Sequence, residues 1–198
     1  MKSQMPELAA NELIVIRHAP ADTQGRLCGR RDVPALVPDA AALASLAEAL
    51  RDVAQIVASP ALRCRQTAQV LWPRRAPELE ARLWEQDFGA QEGMAHADLP
   101  DLGALSLTEL ARHVPPEGES FADMVARAQP ALRGLARQAR TAGPVAVVAH
   151  AGTARAALAL ALGDVSAALA FEIAPLSLTR LRCLPEGAFS VVQVNGQV

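Results

Sequence analysis

Two short apolar runs in this chain each end at a histidine. Residues 13–16 (Leu-Ile-Val-Ile) lead directly into Arg17 and His18, and residues 145–149 (Val-Ala-Val-Val-Ala) lead into His150. Uninterrupted apolar runs of this length predict strands that are buried on both faces of a sheet. The carboxyl ends of such strands form the edge where α/β proteins bind their ligands. The pattern therefore predicts that both histidines lie at that edge.

The remaining pattern alternates strands with helices whose apolar positions recur every three or four residues. Residues 72–104 carry scattered prolines and acids, so we expect irregular structure there. The predicted helices cover residues 40–52, 60–71, 105–113, 120–142 and 153–162, and the further strands cover 55–58 and a terminal hairpin of 176–184 and 189–194. This order predicts a three-layer α/β/α protein with helices on both faces of a mostly parallel central sheet.

The length of the chain predicts a simple domain organisation. Its 198 residues suit one domain, which we place at residues 12–198. Residues 1–11 are expected to form a flexible lead-in. Residues 86–119 are expected to form a short, cap-like insertion within the domain.

The composition limits the classes of binding partner and the cellular compartment that we expect. The chain is 51% apolar with a net charge of −2, so it lacks the basic surface that nucleic acids or anionic membranes require. No apolar run reaches spanning length, and the first residues lack the apolar core of a signal peptide. The three cysteines (Cys28, Cys64 and Cys183) are widely spaced, which favours reduced thiols. We therefore expect a cytoplasmic protein.

The two strand-end histidines are the main candidates for chemistry. On neighbouring strands they would converge, and a neutral imidazole could attack phosphorus while a protonated one holds phosphoryl oxygens. Arg63 lies near a predicted helix start that favours an anion, and Arg26 lies in a Gly- and Arg-rich loop. For both arginines the alternative is an ordinary solvated surface. Glu85 lies among bulky apolar residues, which suits a general acid, although isolated glutamates usually belong to solvated loops.

Six short motifs follow one another along the chain. They are Arg17-His18-Ala19, the loop of residues 25–34, the helix start at 59–68, the segment 83–93, the turn at 116–120, and His150-Ala151-Gly152. In this order they resemble the signatures of the histidine phosphatase (phosphoglycerate mutase-like) superfamily. The loop motif is most similar to that of α-ribazole-5′-phosphate phosphatases. Alanine stands at two family glycines, Ala19 and Ala151, so we expect these turns to differ slightly.

The resemblance implies a phosphoglycerate mutase-like fold and a role for each main site residue. His18 is the implied nucleophile, and Glu85 is the implied general acid for the leaving oxygen and then the general base for water. Arg17, Arg63 and His150 are implied to hold the phosphoryl oxygens and to stabilise the charge of the transition state. No metal or other cofactor is implied, because the arginines and the imidazole supply positive charge.

Four further residues near these motifs have a weaker basis. Arg26 and Ala151 are assigned to the phosphate site together with the residues above. Gln24 is the nearest candidate for an asparagine that many family members carry in the first loop. No role is assigned to Gln24 or to Cys28.

The implied function is a metal-independent phosphomonoesterase that acts on a small phosphorylated metabolite, with α-ribazole 5′-phosphate as one candidate. A phosphoglycerate mutase is the first alternative, which the short and weakly basic insertion disfavours. A non-catalytic protein that binds a phosphorylated ligand on the same fold is the second. The terminal hairpin leaves a sheet edge that could pair with a second copy, so a homodimer is a further expectation.

Overall fold

The computed structural model describes residues 7–197, which contain six strands and five α-helices. The strands are β1 (Glu12–Arg17), β2 (Gln55–Ala58), β3 (Glu78–Leu79), β4 (Val145–Ala149), β5 (Leu178–Cys183) and β6 (Phe189–Gly196). The helices are α1 (Ala44–Ala49), α2 (Leu62–Leu71), α3 (Leu107–Arg112), α4 (Phe121–Ala142) and α5 (Ala151–Leu162). Of the predicted lead-in, residues 1–6 lie outside the described residues.

The six strands form one sheet in the order β3-β2-β4-β1-β5-β6. The first four pair in parallel, whereas β5 is antiparallel to β1 and β6 is antiparallel to β5. This arrangement confirms the mostly parallel sheet and the terminal hairpin. In the central pair, Arg17 of β1 lies opposite Ala149 of β4. His18 directly follows β1 and His150 directly follows β4. The two histidines therefore lie side by side at the carboxyl edge of the sheet.

Each face of the sheet is covered by helices, which confirms the three layers. Side chains alternate along a strand, so Leu13 and Val15 of β1 enter one core while Ile14 and Ile16 enter the other. The first core also contains the apolar faces of α4 and α5, and the second contains those of α1 and α2. Because both faces of these strands are buried, the β1 and β4 sequences show no alternation of apolar and polar residues.

The helix boundaries differ from the prediction mainly at α1. The apolar pattern predicted residues 40–52, but only Ala44–Ala49 is helical, and residues 40–43 form turns in which Asp39 Oδ1 accepts the Ala42 N–H. The start of α4 is as predicted. Ser120 Oγ accepts the Asp123 N–H at 3.0 Å while the Asp123 carboxylate accepts the Ser120 N–H at 3.1 Å. This reciprocal cap fixes where the longest helix begins.

The insertion, residues 86–119, contains α3 and short 3₁₀ turns at Gly89–Gln91 and His96–Asp98. It connects the segment around residue 85 to the start of α4. Across residues 7–197, no helix combines the length and the apolar character that crossing a bilayer requires.

Candidate active site

His18 and His150 meet at the carboxyl ends of the two central strands. Their ring centroids are 5.2 Å apart and the ring planes are inclined by 71°. The His18 N–H donates to the Ala149 carbonyl at 2.8 Å, which extends the pairing of β1 and β4 by one residue. The structure thus confirms that the two strand-end histidines converge.

Within residues 7–197, one ring nitrogen of His18 has a hydrogen-bond partner and the other has none. Nδ1 lies 2.6 Å from the Ala19 carbonyl oxygen, which can only accept, so Nδ1 carries the proton and Nε2 keeps its lone pair. The side chain is 6% exposed. Burial, reinforced by the positive charges of Arg63 and Arg17, lowers the pKa of His18 to about 3. A neutral imidazole with a free Nε2 is the form that attacks phosphorus.

His150 is fully buried and oriented by two neighbours. The Arg63 guanidinium donates to its Nδ1 at 3.3 Å, so Nε2 carries the proton and donates to Ser59 Oγ at 2.9 Å. Burial, with the charge of Arg63 next, places the pKa of His150 well below its ordinary value. This environment favours a neutral imidazole, which differs from the expected protonated one. An adjacent phosphoryl anion would raise that pKa, because a negative charge stabilises the protonated ring.

Two arginines lie close to the histidine pair. The Arg63 side chain is 1% exposed, and its guanidinium donates to the carbonyls of Gly29 at 2.7 Å and Arg31 at 3.2 Å. Arg17 donates from one terminal nitrogen to the Ile173 carbonyl at 2.5 Å. Its Nε is buried and has no hydrogen-bond partner among the described residues. A buried, unused donor is costly, and a phosphoryl oxygen is a suitable acceptor for it.

Glu85 is held at the amino end of α5, the helix that follows His150. Its Oε2 accepts the Gly152 N–H at 3.3 Å and its Oε1 accepts the Gln86 N–H at 3.1 Å. The absence of a side chain at Gly152 is what admits the carboxylate, because a Cβ there would overlap Glu85 Oε1 and lie 2.8 Å from Met124 Cε. Burial lowers the pKa of Arg17, and a negative charge on Glu85, when that carboxyl is ionised, opposes this shift. The structure therefore brings Glu85 to the histidine and arginine cluster.

Arg26 and Ala151 are less closely tied to the cluster. Arg26 is exposed and donates to the Gly93 carbonyl at 2.8 Å, and within residues 7–197 it forms no hydrogen bond with either histidine. Ala151 is the first residue of α5, where its half-buried position is next to His150. Gln24 is exposed with a positive φ of 50°. The assignment of Arg26 and Ala151 to phosphate stays a prediction.

Glu92 is a site-building residue that the sequence motif contained without indicating its role. Its carboxylate accepts the backbone N–H groups of Gly29, Arg30, Arg31 and Phe88 at 2.8–3.2 Å. These bonds shape the loop whose Gly29 and Arg31 carbonyls hold Arg63. The Glu92 carboxylate thus joins two segments that are about sixty residues apart in the chain. No local pattern of the sequence reveals such a contact.

Trp84 is a second neighbour of the site that the motifs did not single out. Its ring stacks on His150 with centroids 6.4 Å apart and planes inclined by 12°. The Arg30 guanidinium carbon lies 5.7 Å from the centroid of the Trp84 ring. Trp84 therefore restricts the orientation of His150 and shields it on one side.

Comparison with known proteins identifies the family. The model of the histidine phosphatase superfamily (branch 1) matches residues 13–196. The chain belongs to this superfamily. The matched region contains both histidines, both arginines and Glu85.

Solved structures agree on the fold. A mycobacterial glucosyl-3-phosphoglycerate phosphatase superposes with a TM-score of 0.81 at 26% identity, covering 94% of this chain and 99% of its own. An Escherichia coli protein, provisionally described as an alpha-ribazole-5′-P phosphatase, superposes with a TM-score of 0.78 at 20% identity, covering 93% and 96%. The latter identity is low enough that the likeness shows the fold alone.

One curated relative contains a similar domain within a larger protein. A Caenorhabditis elegans 6-phosphofructo-2-kinase/fructose-2,6-bisphosphatase is 35% identical over 105 residues, which is 51% of this chain. The match covers 22% of the relative's own length. The similarity therefore concerns about half of this chain and a small part of a longer protein.

Proposed function

We propose that this histidine-phosphatase domain is a phosphomonoesterase that forms a phosphohistidine on His18. The observation that carries the proposal is the tautomer of His18, whose Nδ1–H is bound to the Ala19 carbonyl while Nε2 is unprotonated beside two arginines. Membership in the superfamily and the phosphatase named among its structural neighbours support the same reaction.

The reaction proceeds in two displacements. In the first, His18 Nε2 forms a bond to phosphorus while the bond to the leaving oxygen breaks, and Glu85 gives that oxygen a proton. In the second, Glu85 takes a proton from water, the water oxygen bonds to phosphorus, and the P–N bond breaks to release phosphate. Glu85 ends the cycle protonated and His18 ends it neutral, as both began.

Charge stabilisation falls to the arginines and to His150. Arg17 offers its unpartnered Nε, and Arg63 is held rigidly by two carbonyls, so neither group must reorganise much as negative charge builds on the phosphoryl oxygens. His150 gains a proton more easily once a phosphoryl anion lies beside it. These groups supply the positive charge, so we propose that turnover needs no metal or other cofactor.

The first test measures hydrolysis of p-nitrophenyl phosphate in the presence of a chelator. Wild type is expected to turn over and to yield an acid-labile phosphoprotein after rapid quenching, whereas His18→Ala yields neither. His96→Ala, which changes an exposed histidine of the insertion, is the matched control and should behave as wild type. Turnover that persists in His18→Ala would overturn the assignment of the nucleophile.

For the substrate we propose α-ribazole 5′-phosphate. A cavity of about 270 Å³ adjoins Gln86, the residue after Glu85. Its lining is mostly apolar and includes Leu27, Phe88 and Leu110, with His113 as its titratable side chain. An aromatic base can pack against such a surface, whereas a leaving group with a carboxylate, such as glucosyl-3-phosphoglycerate, would find no arginine or lysine in the lining.

The substrate test compares kcat/KM for α-ribazole 5′-phosphate and glucosyl-3-phosphoglycerate. We expect the former to be preferred, and Leu110→Asp to reduce that preference because it places a charge in the apolar lining. Leu107→Asp is the matched control, since Leu107 is similarly exposed on α3 but does not line the cavity. A preference for the glycerate ester would assign the domain to the substrate of its mycobacterial neighbour.

The same assays separate the two alternatives. Transfer of the phosphoryl group to a second glycerate molecule in place of water would indicate a mutase. Tight binding of phosphate without turnover of any ester would indicate a non-catalytic binding protein.

We further propose that the protein is cytoplasmic, forms a homodimer, and takes neither nucleic acid nor a membrane as a partner.

A further inference from the structure

A second cavity lies at the other end of the sheet from the catalytic cluster. It has a volume of about 410 Å³ and lies between the last turns of α4 and the β5–β6 hairpin. Its wall includes Cys183 of β5, whose N–H donates to the Asn11 carbonyl just before β1 begins. His18 follows the opposite end of β1, a strand of six residues, so the two sites are separated by about 20 Å along the strand.

Three arginines of α4 line one side of this cavity. Arg133, Arg137 and Arg140 are spaced by four and three residues, which places them on one face of the helix. Glu186 is the acidic residue of the lining. Three guanidinium groups against one carboxylate leave a net positive charge at the cavity.

Among the described residues, these three guanidinium groups form no ion pair. Within residues 7–197 the ion pairs of arginine involve other positions, such as Arg51, Arg82 and Arg127, and none includes an arginine of this cavity. Three like charges on one helix face repel one another and weaken the helix slightly. An anion bound in the cavity would reduce this repulsion.

The opposite wall is formed by the hairpin and, apart from Glu186, is mostly apolar. Cys183 is buried there with Leu184 and Phe189 beside it, while Ala136 is buried on the helix side of the cavity. The hairpin turn is closed by the Leu184 N–H donating to the Ala188 carbonyl at 2.9 Å and the Ala188 N–H donating to the Pro185 carbonyl at 3.2 Å. A cavity of this size, with an apolar wall and a few convergent charges, is typical of a site for a small organic molecule.

We propose that this arginine cavity (residues 133–140 of α4 with residues 183–189) binds a small organic anion that has an apolar body. The acidic group lies against the arginines, and the apolar body packs on Leu184 and Phe189. The site is independent of the phosphoryl chemistry, because no residue of the catalytic cluster lines it.

The test titrates 2-naphthalenesulfonate, an aromatic anion that a phosphatase cannot hydrolyse, into the protein and measures heat. Arg133→Gln with Arg137→Gln should weaken binding at least about tenfold, since two charge-assisted contacts are removed. The matched control changes two exposed arginines outside the cavity, Arg51→Gln with Arg74→Gln, and should bind as wild type does. Binding should also weaken with added salt.

Two further measurements keep the outcomes separable. Thermal unfolding checks that each double variant folds, and hydrolysis of p-nitrophenyl phosphate by Arg133→Gln with Arg137→Gln should match wild type. Equal affinities in the two double variants, or no binding by wild type, would overturn the second site. If wild type failed to hydrolyse p-nitrophenyl phosphate, that result would count against the proposed phosphatase function. It would not affect the conclusion about binding at the arginine cavity.

Discussion

His18 combines burial with a single donated hydrogen bond, and this combination links catalysis to stability. The pKa of about 3 in the folded protein is below the ordinary value of 6.5 in the unfolded chain. Between these values the unfolded chain binds more protons, so folding is favoured less as the pH falls. The neutral form of His18, the proposed nucleophile, therefore costs stability only at acidic pH.

This linkage predicts how stability depends on pH. Above about pH 6.5 the contribution of His18 is constant, and below it the free energy of unfolding should fall by up to about 1.4 kcal/mol per pH unit for each such histidine. Urea denaturation of wild type and His18→Gln between pH 7 and pH 4 measures the difference in slope. His18→Gln should show a shallower slope, while His96→Gln, an exposed control, keeps that of wild type. Identical slopes would contradict the low pKa of His18.

The proposed role of Glu85 as the proton donor can be separated from an effect of its charge by the choice of leaving group. Glu85→Gln should lower kcat/KM for an alkyl phosphate by about 10²–10⁴-fold, because the departing alkoxide needs a proton. With p-nitrophenyl phosphate the loss should be much smaller, since p-nitrophenolate leaves unprotonated. Glu78→Gln, an exposed glutamate on β3, is the control. An equal loss with both esters would argue against proton donation by Glu85.

The sequence predicted the residues of the cluster that follow strands, but not those whose role depends on distant contacts. His18 and His150 could be placed from the apolar runs alone, because the carboxyl ends of neighbouring parallel strands meet. Glu85 needed the family motif, since its position against Gly152 depends on a contact between segments 67 residues apart. The low pKa of His150 follows from complete burial, which a strand pattern does not reveal.

At the scale of elements, the loop of residues 29–31 depends on one carboxylate. Glu92→Ala would leave four backbone N–H groups without their acceptor and should reduce the free energy of unfolding by about 1–3 kcal/mol. The loop carbonyls also hold Arg63, so inhibition by inorganic phosphate should weaken. Chemical denaturation and the phosphate inhibition constant measure these effects. Glu78→Ala is the control and should keep the inhibition constant of wild type. An unchanged inhibition constant in Glu92→Ala would show that the loop does not position Arg63.

Helix limits show where local pattern is sufficient and where it is not. The α4 start was predictable because Ser120 and Asp123 carry their capping information in the sequence itself. For α1 the apolar spacing extended over residues 40–52, yet only six residues are helical. Residues 40–43 are mostly exposed and form turns, so packing against the second core, rather than periodicity, decides where α1 begins.

At the scale of the whole molecule, the two edges of the sheet differ. One edge is β3, which has two residues, and the other is β6, which has eight. A short edge offers few unpaired backbone groups, whereas a long one is a template for pairing with another chain. The predicted homodimer is therefore expected to form through β6 rather than β3.

Light scattering coupled to size exclusion tests this expectation. Wild type should elute as a dimer, and Val191→Lys should shift it to a monomer, because two copies pairing at β6 would bring the added charges together. Val191 is 40% exposed, so the substitution leaves the core intact. Leu79→Lys on β3, where the native side chain is 51% exposed, is the matched control and should remain dimeric. A Val191→Lys variant that stays dimeric would argue for an interface elsewhere, since like charges brought together on paired edge strands oppose the pairing.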